Sequence, residues 1–192
     1  MAAYEHISVL ISFFVSLGFA HVLIGAAGLV QSPARVRISV PHALWVLVAV
    51  SCLLDTWLGL FEHRTHADWD IPTVLLLIGQ ATVAYLLAAL VMPASFILDG
   101  IMELHEFHTA HRRSYILAFM GFIVIDVAVA AVLNPDIGDP VESIALAIAF
   151  VLFLAPALLA LLSRQRWAQV TGPAIIVVLA VAYWALAAPV LA

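Results

Sequence analysis

The sequence contains no lysine and little charge of either sign. All seven basic residues are arginine, twelve residues are acidic, and charged residues make up only 10% of the 192. A soluble domain would carry about a quarter charged residues. The scarcity of basic side chains excludes a nucleic-acid-binding surface, which needs them clustered. The net charge of -5 is spread too thinly to steer a partner.

Cysteine is equally scarce. Cys52 is the one cysteine, so an intramolecular disulfide framework and a cysteine-based zinc site are both excluded. The sequence also lacks a phosphate-binding glycine loop and a nucleophile elbow. Because the common catalytic signatures are missing, we expect a non-enzymatic protein.

Hydrophobic residues are in excess, at 66% of the chain, with a mean hydropathy of +1.16. Six continuous apolar runs are long enough to cross a hydrocarbon core of about 30 Å. Strands are not expected, because the runs do not alternate with polar residues. The sequence therefore predicts an all-α integral membrane protein, a single domain of six transmembrane helices. The runs lie at about 7–31, 40–61, 72–93, 114–133, 141–162 and 170–190.

The arginines set the expected orientation. Only Arg64 lies in an even-numbered loop, and the other six lie in or beside the odd-numbered loops. By the positive-inside rule the odd loops belong in the cytoplasm. We therefore predict a multi-pass protein of the bacterial inner membrane with both termini in the periplasm. The six arginines are Arg35, Arg37, Arg112, Arg113, Arg164 and Arg166.

One polar stretch, "IMELHEFHTAHRRSY" at 101–115, separates the third and fourth runs. On a helical projection its apolar residues and its carboxylates fall on opposite sides. Residues 97–113 are therefore predicted to form a cytoplasmic interfacial helix that leads into the fourth span. The alternative is a metal site built from histidines. Its ligands would be His42, His105, His108 and His111.

The loop "FEHRTHADWD" after the second run offers a second set of candidate metal ligands. A His-x-x-His pair with carboxylates can bind a divalent ion. The simpler interpretation is a solvated loop. The candidate ligands are His63, His66, Asp68 and Asp70.

A stripe of small residues around one histidine lies on the first run. Gly18, His21, Gly25 and Gly28 follow helical spacings that keep them on one face. Glycines let another surface approach the backbone closely. That surface is either a neighbouring helix, with His21 hydrogen-bonded across the contact, or a haem with His21 as axial ligand. No second histidine lies at similar depth, which favours the helix contact.

Two aspartates lie deep inside predicted spans, where ionisable groups are costly and mark candidate functional sites. Asp55 and Asp126 lie at similar distances from the outer ends of their runs, and Gln80 lies near that depth in the third run. Burial favours the neutral form of a carboxyl group, so a cluster of these three could bind and release protons. The alternative is that each makes only a structural hydrogen bond or lines a shallow outer cavity.

The two halves of the chain also share short similarities. The third run contains "IPTVLLL" and "VAYLLAA", and the sixth contains "GPAIIVV" and "VAYWALAA". Three helices per half would make an inverted 3+3 repeat, which is common among transporters. Chance matches within an alphabet of Ala, Val and Leu are the alternative explanation.

Four features occur in order along the first part of the chain: a Trp-containing second run, the loop "HADWD", a third run ending "ALVMP", and the segment "HRRSY". With this layout, residues 1–125 resemble an uncharacterised family of small, roughly 200-residue bacterial inner-membrane proteins. The resemblance implies a six-helix membrane protein and no particular activity. It assigns no functional residue.

Three functional hypotheses follow for a chain that resides in the lipid bilayer. The leading one is an accessory subunit or homo-oligomeric scaffold, which contacts its partner through small residues such as Ser12, Ser16 and Ala20. The second is a small proton-coupled transporter or channel that uses the two aspartates and the glutamine. The third is a haem or metal protein that uses His21 or the histidine-rich segment. We predict no cofactor.

Overall fold

The structure is a computed structural model that describes residues 2–31, 36–65, 69–93, 102–134 and 138–187. Six helices in this part of the chain are long and apolar enough to cross a membrane. The predicted six-helix membrane fold is therefore confirmed. The helices are α1 (Ala2–Gln31), α2 (Val40–Glu62), α3 (Ile71–Val91), α4 (Leu104–Leu133), α5 (Pro140–Leu162) and α6 (Arg166–Ala187).

The helices start where local sequence favours a start. Asp70 accepts a hydrogen bond from the Thr73 backbone N–H at 2.9 Å, and Asp139 accepts one from the Val141 N–H at 2.8 Å. Each aspartate thus caps a helix, α3 and α5 respectively, and a proline follows in the first turn. Proline suits this position because it has no N–H to leave unpaired.

Contacts between loops show which ends of the helices lie together. Strand β1 (Val36–Arg37) pairs in parallel with strand β2 (Met102–Glu103), and Arg112 of α4 bonds to the Ser163 carbonyl just after α5. The loops after α1, α3 and α5 therefore meet at one end of the bundle, which we call the odd-loop end. The opposite end, with the loops after α2 and α4, is the even-loop end.

The fourth helix differs from the prediction. It begins at Leu104, not at 114, so residues 104–113 of the predicted interfacial segment form its first turns. His108 and Arg112 are buried there, because both bond to the α5–α6 hairpin rather than to solvent. Residues 97–101 lie outside the described residues, and an interfacial position for them stays a prediction.

Most of the described buried hydrophobic residues lie on α2, α3 and α4. Trp45 is fully buried and contacts the rings of Tyr115 and Phe119, with centroids 5.5 and 5.8 Å away. On α3, Ala81 and Ala84 are fully buried. Small side chains let helices approach closely in lipid, where packing replaces the hydrophobic effect as the driving force.

The α5–α6 hairpin has its own close contact near the odd-loop end. A Cβ atom at Gly172 would lie 2.7 Å from the Pro156 carbonyl oxygen and 3.1 Å from the Ala160 Cβ. Only glycine therefore allows this approach of the two backbones. The inverted repeat stays a prediction, and the halves differ in packing among the described residues: α1 packs along α3, whereas α4 and α6 line a cavity.

Candidate functional site: an acidic cavity

A cavity of about 610 Å³ opens in the even-loop half of the bundle. Its walls come mainly from α2, α4, α5 and α6, with α1 and α3 contributing one or two residues each. Most of the lining is aliphatic or aromatic. A cavity of this size, mostly apolar with a few converging polar groups, is typical of a small-molecule site.

Asp126 and Gln80 meet at the wall of this cavity. The Gln80 amide nitrogen donates to the Asp126 carboxyl oxygen Oδ1 at 2.6 Å. Gln80 is only 6% exposed, and both residues line the cavity. Gln80 thus fixes the orientation of the Asp126 carboxyl group, since an amide nitrogen acts only as a donor.

Asp55 lines the same cavity from α2, with a different partner. The Trp184 indole N–H donates to Asp55 Oδ1 at 3.2 Å. One helical turn away, Cys52 is buried and also lines the cavity. The structure therefore places Asp55, Gln80 and Asp126 around one space, although each aspartate has its own hydrogen-bond donor.

The charge of the lining has one sign. Two further carboxylates, Glu62 and Glu142, line the cavity near its even-loop end. No arginine is among the described lining residues, and His63 is the one side chain there that could carry positive charge. We call this site the acidic cavity. It is defined by Asp55, Glu62, Gln80, Asp126 and Glu142.

A second group of polar side chains lies at the odd-loop end. The Tyr115 hydroxyl bonds to His108 Nδ1, and His108 Nε2 lies 3.0 Å from the Gln169 amide oxygen. The hydroxyl can donate to Nδ1, and Nε2–H can then donate to that oxygen. Every polar group of this chain of bonds therefore has a partner.

The carbonyl oxygens at the end of α5 complete this network. Gln169 Nε2 donates to the Ala160 and Ser163 carbonyls, and Arg112 donates to the same two at 3.0 and 2.7 Å. These bonds satisfy carbonyls that a helix end leaves unpaired, and a cation suits the negative end of the helix dipole. We call His108, Arg112, Tyr115 and Gln169 the closed network.

Contacts of the other histidines bear on the metal hypothesis. His42 Nε2 lies 2.9 Å from the Val91 carbonyl oxygen, and His111 Nδ1 lies 3.0 Å from that of Phe107. His108 uses both ring nitrogens within the closed network. Across the described ranges, no three His, Cys, Asp or Glu side chains lie close enough to hold a metal ion.

The other candidate ligands are placed as follows. His105 is exposed on the first turn of α4, and Asp70 caps α3. His63 lines the acidic cavity. His66 and Asp68 lie outside the described residues, so their part in a metal site stays a prediction.

The glycine stripe of α1 is covered partly by the chain itself. A Cβ at Gly18 would meet the Leu53 side chain at 2.6 Å, and one at Gly25 would meet Met92 at 3.1 Å. His21 and Gly28 are partly exposed. The glycines therefore serve contacts within the bundle, and a haem on this face would have to displace Leu53 and Met92.

Sequence reasoning did not find the partners of the polar groups. The sequence alone does not identify Trp184 as a partner of Asp55, although a tryptophan inside an apolar span needs an acceptor for its N–H. It does not identify Gln169 either, although an amide close to the start of α6 can bond to the carbonyls at the end of a neighbouring helix. Both signals exist in the sequence, but they do not say which helix is the neighbour.

Comparisons with protein-family models, curated proteins and solved structures find no match to this chain. The six helices define a polytopic membrane protein. Any narrower function has to be argued from the acidic cavity and its surroundings.

Proposed function

We propose that this polytopic membrane protein is a small proton-coupled carrier or channel. Asp55 and Asp126 bind and release the protons, and Gln80 orients the Asp126 carboxyl group. The observation that carries the proposal is the acidic cavity, in which all three side chains line one space inside the membrane domain. Intramembrane carboxyl groups that face a cavity are typical of ion and proton pathways.

The hydrogen bonds at the two aspartates suit reversible protonation. Each accepts a hydrogen bond from a neutral donor, Gln80 Nε2 or Trp184 Nε1, and no arginine is among the described residues that line the cavity. A fixed cation would hold a carboxyl group permanently ionised. Without one, these groups can take up a proton when the cavity is empty and release it when a solute enters.

The closed network gives the pathway its barrier. It ties α4 to the ends of the α5–α6 hairpin through Arg112 and Gln169, at the end of the bundle opposite the cavity mouth. In a carrier, passage of the solute requires this end to open while the even-loop end closes. The hairpin is the element that would move, because few residues of α5 are buried and most of that helix faces away from the bundle.

Transport by the purified protein in liposomes tests this proposal. Solutes of different charge are added under an imposed pH gradient, and current is recorded on a solid-supported membrane. We expect at least one class to give a current that reverses when the gradient is reversed, and the Asp55→Asn/Asp126→Asn double variant to abolish it. Glu106→Gln removes an exposed carboxylate and serves as control. The proposal fails if no solute class gives a gradient-dependent current.

We further propose that the cavity opens to the periplasm of a bacterial inner membrane, because six of seven arginines lie beside the odd loops. Single cysteines placed at Gln165 and Gly138, in a Cys52→Ser background, test the orientation in intact cells. An impermeant maleimide should label position 138 and spare position 165. The opposite pattern would reverse the orientation.

A partner-binding role is the second candidate, and one observation favours it. Ser16 and Ala20, one turn apart on α1, are exposed in the monomer, and small residues at this spacing support helix association in lipid. Ala20→Leu should then reduce cross-linking of a homo-oligomer or partner in native membranes. Ala147→Leu, at an exposed alanine of α5, should not. Cross-linking that yields only monomer would remove this candidate.

A further inference from the structure

We propose that the solute of the acidic cavity is an organic cation with aromatic or alkyl groups, and that it competes with protons for Asp55 and Asp126. The inference rests on the proposed function and names its substrate class. Three features of the cavity carry it: the sign of its charge, the nature of its walls, and its size.

The sign of the charge selects against anions and gives cations an advantage over neutral solutes. Asp55 and Asp126 line the cavity from inside α2 and α4, and Glu62 and Glu142 line it at the even-loop ends of α2 and α5. No arginine among the described lining residues offsets them. A cleft lined by one sign of charge with low-dielectric walls concentrates the opposite sign.

The walls suit an organic rather than a strongly hydrated inorganic cation. Six aromatic side chains line the cavity on α4, α5 and α6, and aromatic faces attract cations that have lost their water. Aliphatic residues complete the walls and match alkyl groups. The aromatic residues are Phe119, Phe122, Phe150, Phe153, Tyr183 and Trp184.

The volume of the cavity and the small number of possible metal ligands also favour an organic cation. A divalent ion such as Ca²⁺ requires six to eight oxygen ligands at short range, whereas the described residues contain no compact group of three metal-ligating side chains. A volume of about 610 Å³ is instead within the usual range for small organic molecules. One or two carboxylates can neutralise the charge of an organic cation, which does not need a complete shell of oxygen ligands.

Competition with protons follows from charge balance. When the cavity is empty, a carboxyl group holds its proton and remains neutral. When the cation enters, the O–H bond breaks, the proton passes to water through the cavity mouth, and the carboxylate pairs with the cation. The empty site with a protonated carboxyl group and the occupied site with a carboxylate and a cation have the same net charge. Exchange of one cation for one proton therefore avoids an unpaired charge in the membrane.

Binding of radiolabelled tetraphenylphosphonium to the detergent-purified protein tests the inference. This probe has a fixed positive charge, so any pH dependence of its binding arises from the protein. We expect saturable binding, displaced by excess unlabelled probe, that tightens as pH rises. In weakly buffered solution, binding should release protons to a pH indicator. Tetraphenylborate, of the same shape and opposite charge, should not compete.

Variants locate the site and guard against misfolding. Asp126→Asn should weaken binding about tenfold or more, because a desolvated charge pair is lost, and Asp126→Glu should restore part of it. Glu106→Gln, an exposed carboxylate at the odd-loop end, should bind as the parent does. Tryptophan fluorescence should change on binding in the parent protein and change less in Trp184→Phe, since the Trp184 indole bonds to Asp55.

The outcomes separate the inference from the proposed function. Two results would show that the substrate class is wrong: tetraphenylphosphonium does not bind, or tetraphenylborate displaces it as well as the unlabelled cation does. If a neutral or anionic solute then still gives proton-dependent currents, the carrier function stands. If the probe binds with proton release but liposomes show no gradient-driven uptake of any solute, the cation site stands and the carrier function is wrong. Binding unaffected by Asp126→Asn and Asp55→Asn overturns the inference.

Discussion

The acidic cavity and the closed network are two polar regions of one apolar bundle, and they balance donors and acceptors differently. In the closed network, His108 and Gln169 each bond on both sides, and the chain of bonds ends on carbonyl oxygens at the end of α5. In the acidic cavity, carboxyl oxygens outnumber their donors, with Gln80 on Asp126 and Trp184 on Asp55.

This difference assigns the two regions different tasks. Buried polar groups are retained at low cost when every one is satisfied, so the closed network stabilises the bundle. Carboxyl groups beside empty space leave bonding capacity for a proton or a solute. Removing a side chain from the closed network should therefore cost stability, and removing one from the acidic cavity should cost activity.

The largest effect on stability is expected at Arg112. Its guanidinium group donates to the Ala160 and Ser163 carbonyls, and hydrogen bonds to a charged group contribute about 1.5–3 kcal/mol each. Arg112→Met should lower the free energy of unfolding by about 3 kcal/mol. Arg113→Met, at the exposed neighbour, should change it by less than about 0.5 kcal/mol.

Cys52 provides the measurement for all stability predictions. It is the single cysteine of the chain and is buried in the core. The reaction of a thiol-reactive fluorophore with Cys52 therefore reports unfolding in detergent, and no cysteine has to be introduced. An Arg112→Met protein as stable as Arg113→Met would show that the closed network does not stabilise the bundle.

A matched pair of glutamine substitutions compares the two regions directly. Gln169→Leu leaves the His108 Nε2–H unpaired in the core and should cost about 2 kcal/mol, since a buried unsatisfied group costs about 1–3 kcal/mol. Gln80→Leu removes only the donor to Asp126, which can turn to the cavity, and should cost less than about 1 kcal/mol. Equal losses of thermal stability would contradict the assigned roles, as would unchanged transport by Gln80→Leu.

Much of the fold could be predicted from the sequence, because apolar length and arginine placement are local properties. Each of the six predicted spans overlaps one observed helix. The start of α4 was missed, because the charges of 104–113 indicate exposure when read alone. His108 and Arg112 are nevertheless buried, since the hairpin supplies their partners.

The candidate site was predictable only in part. Depth along a helix can be counted in the sequence, and it suggested that Asp55, Asp126 and Gln80 share a level. The structure places the three around one cavity, but the direct partner of Asp55 is Trp184, more than a hundred residues later. Pairings of this kind depend on which helices become neighbours, and apolar spans of similar composition do not encode that locally.

A smaller effect is expected where the hairpin backbones touch. At Gly172 a methyl group would lie 2.7 Å from the Pro156 carbonyl oxygen, so Gly172→Ala should cost about 1–2 kcal/mol through overpacking. Gly121, also inside a helix, has open space at its Cβ position, and Gly121→Ala should gain up to about 1 kcal/mol from helix propensity. Thermal unfolding should thus shift in opposite directions. Two shifts of the same sign would mean that the hairpin does not need this close approach.

The smallest effect is expected at the ion pair between the first and third loops. Arg37 Nη1 lies 2.8 Å from Glu103 Oε1, and the two side chains are 71% and 34% exposed. Exposed pairs contribute about 0.2–1 kcal/mol and weaken with salt. A double-mutant cycle of Arg37→Ala and Glu103→Ala should therefore give a coupling of about 0.5 kcal/mol or less that disappears in high salt. A larger, salt-independent coupling would show that the β1–β2 pairing excludes water, and that the odd-loop end is closed by its loops as well as by the network beneath them.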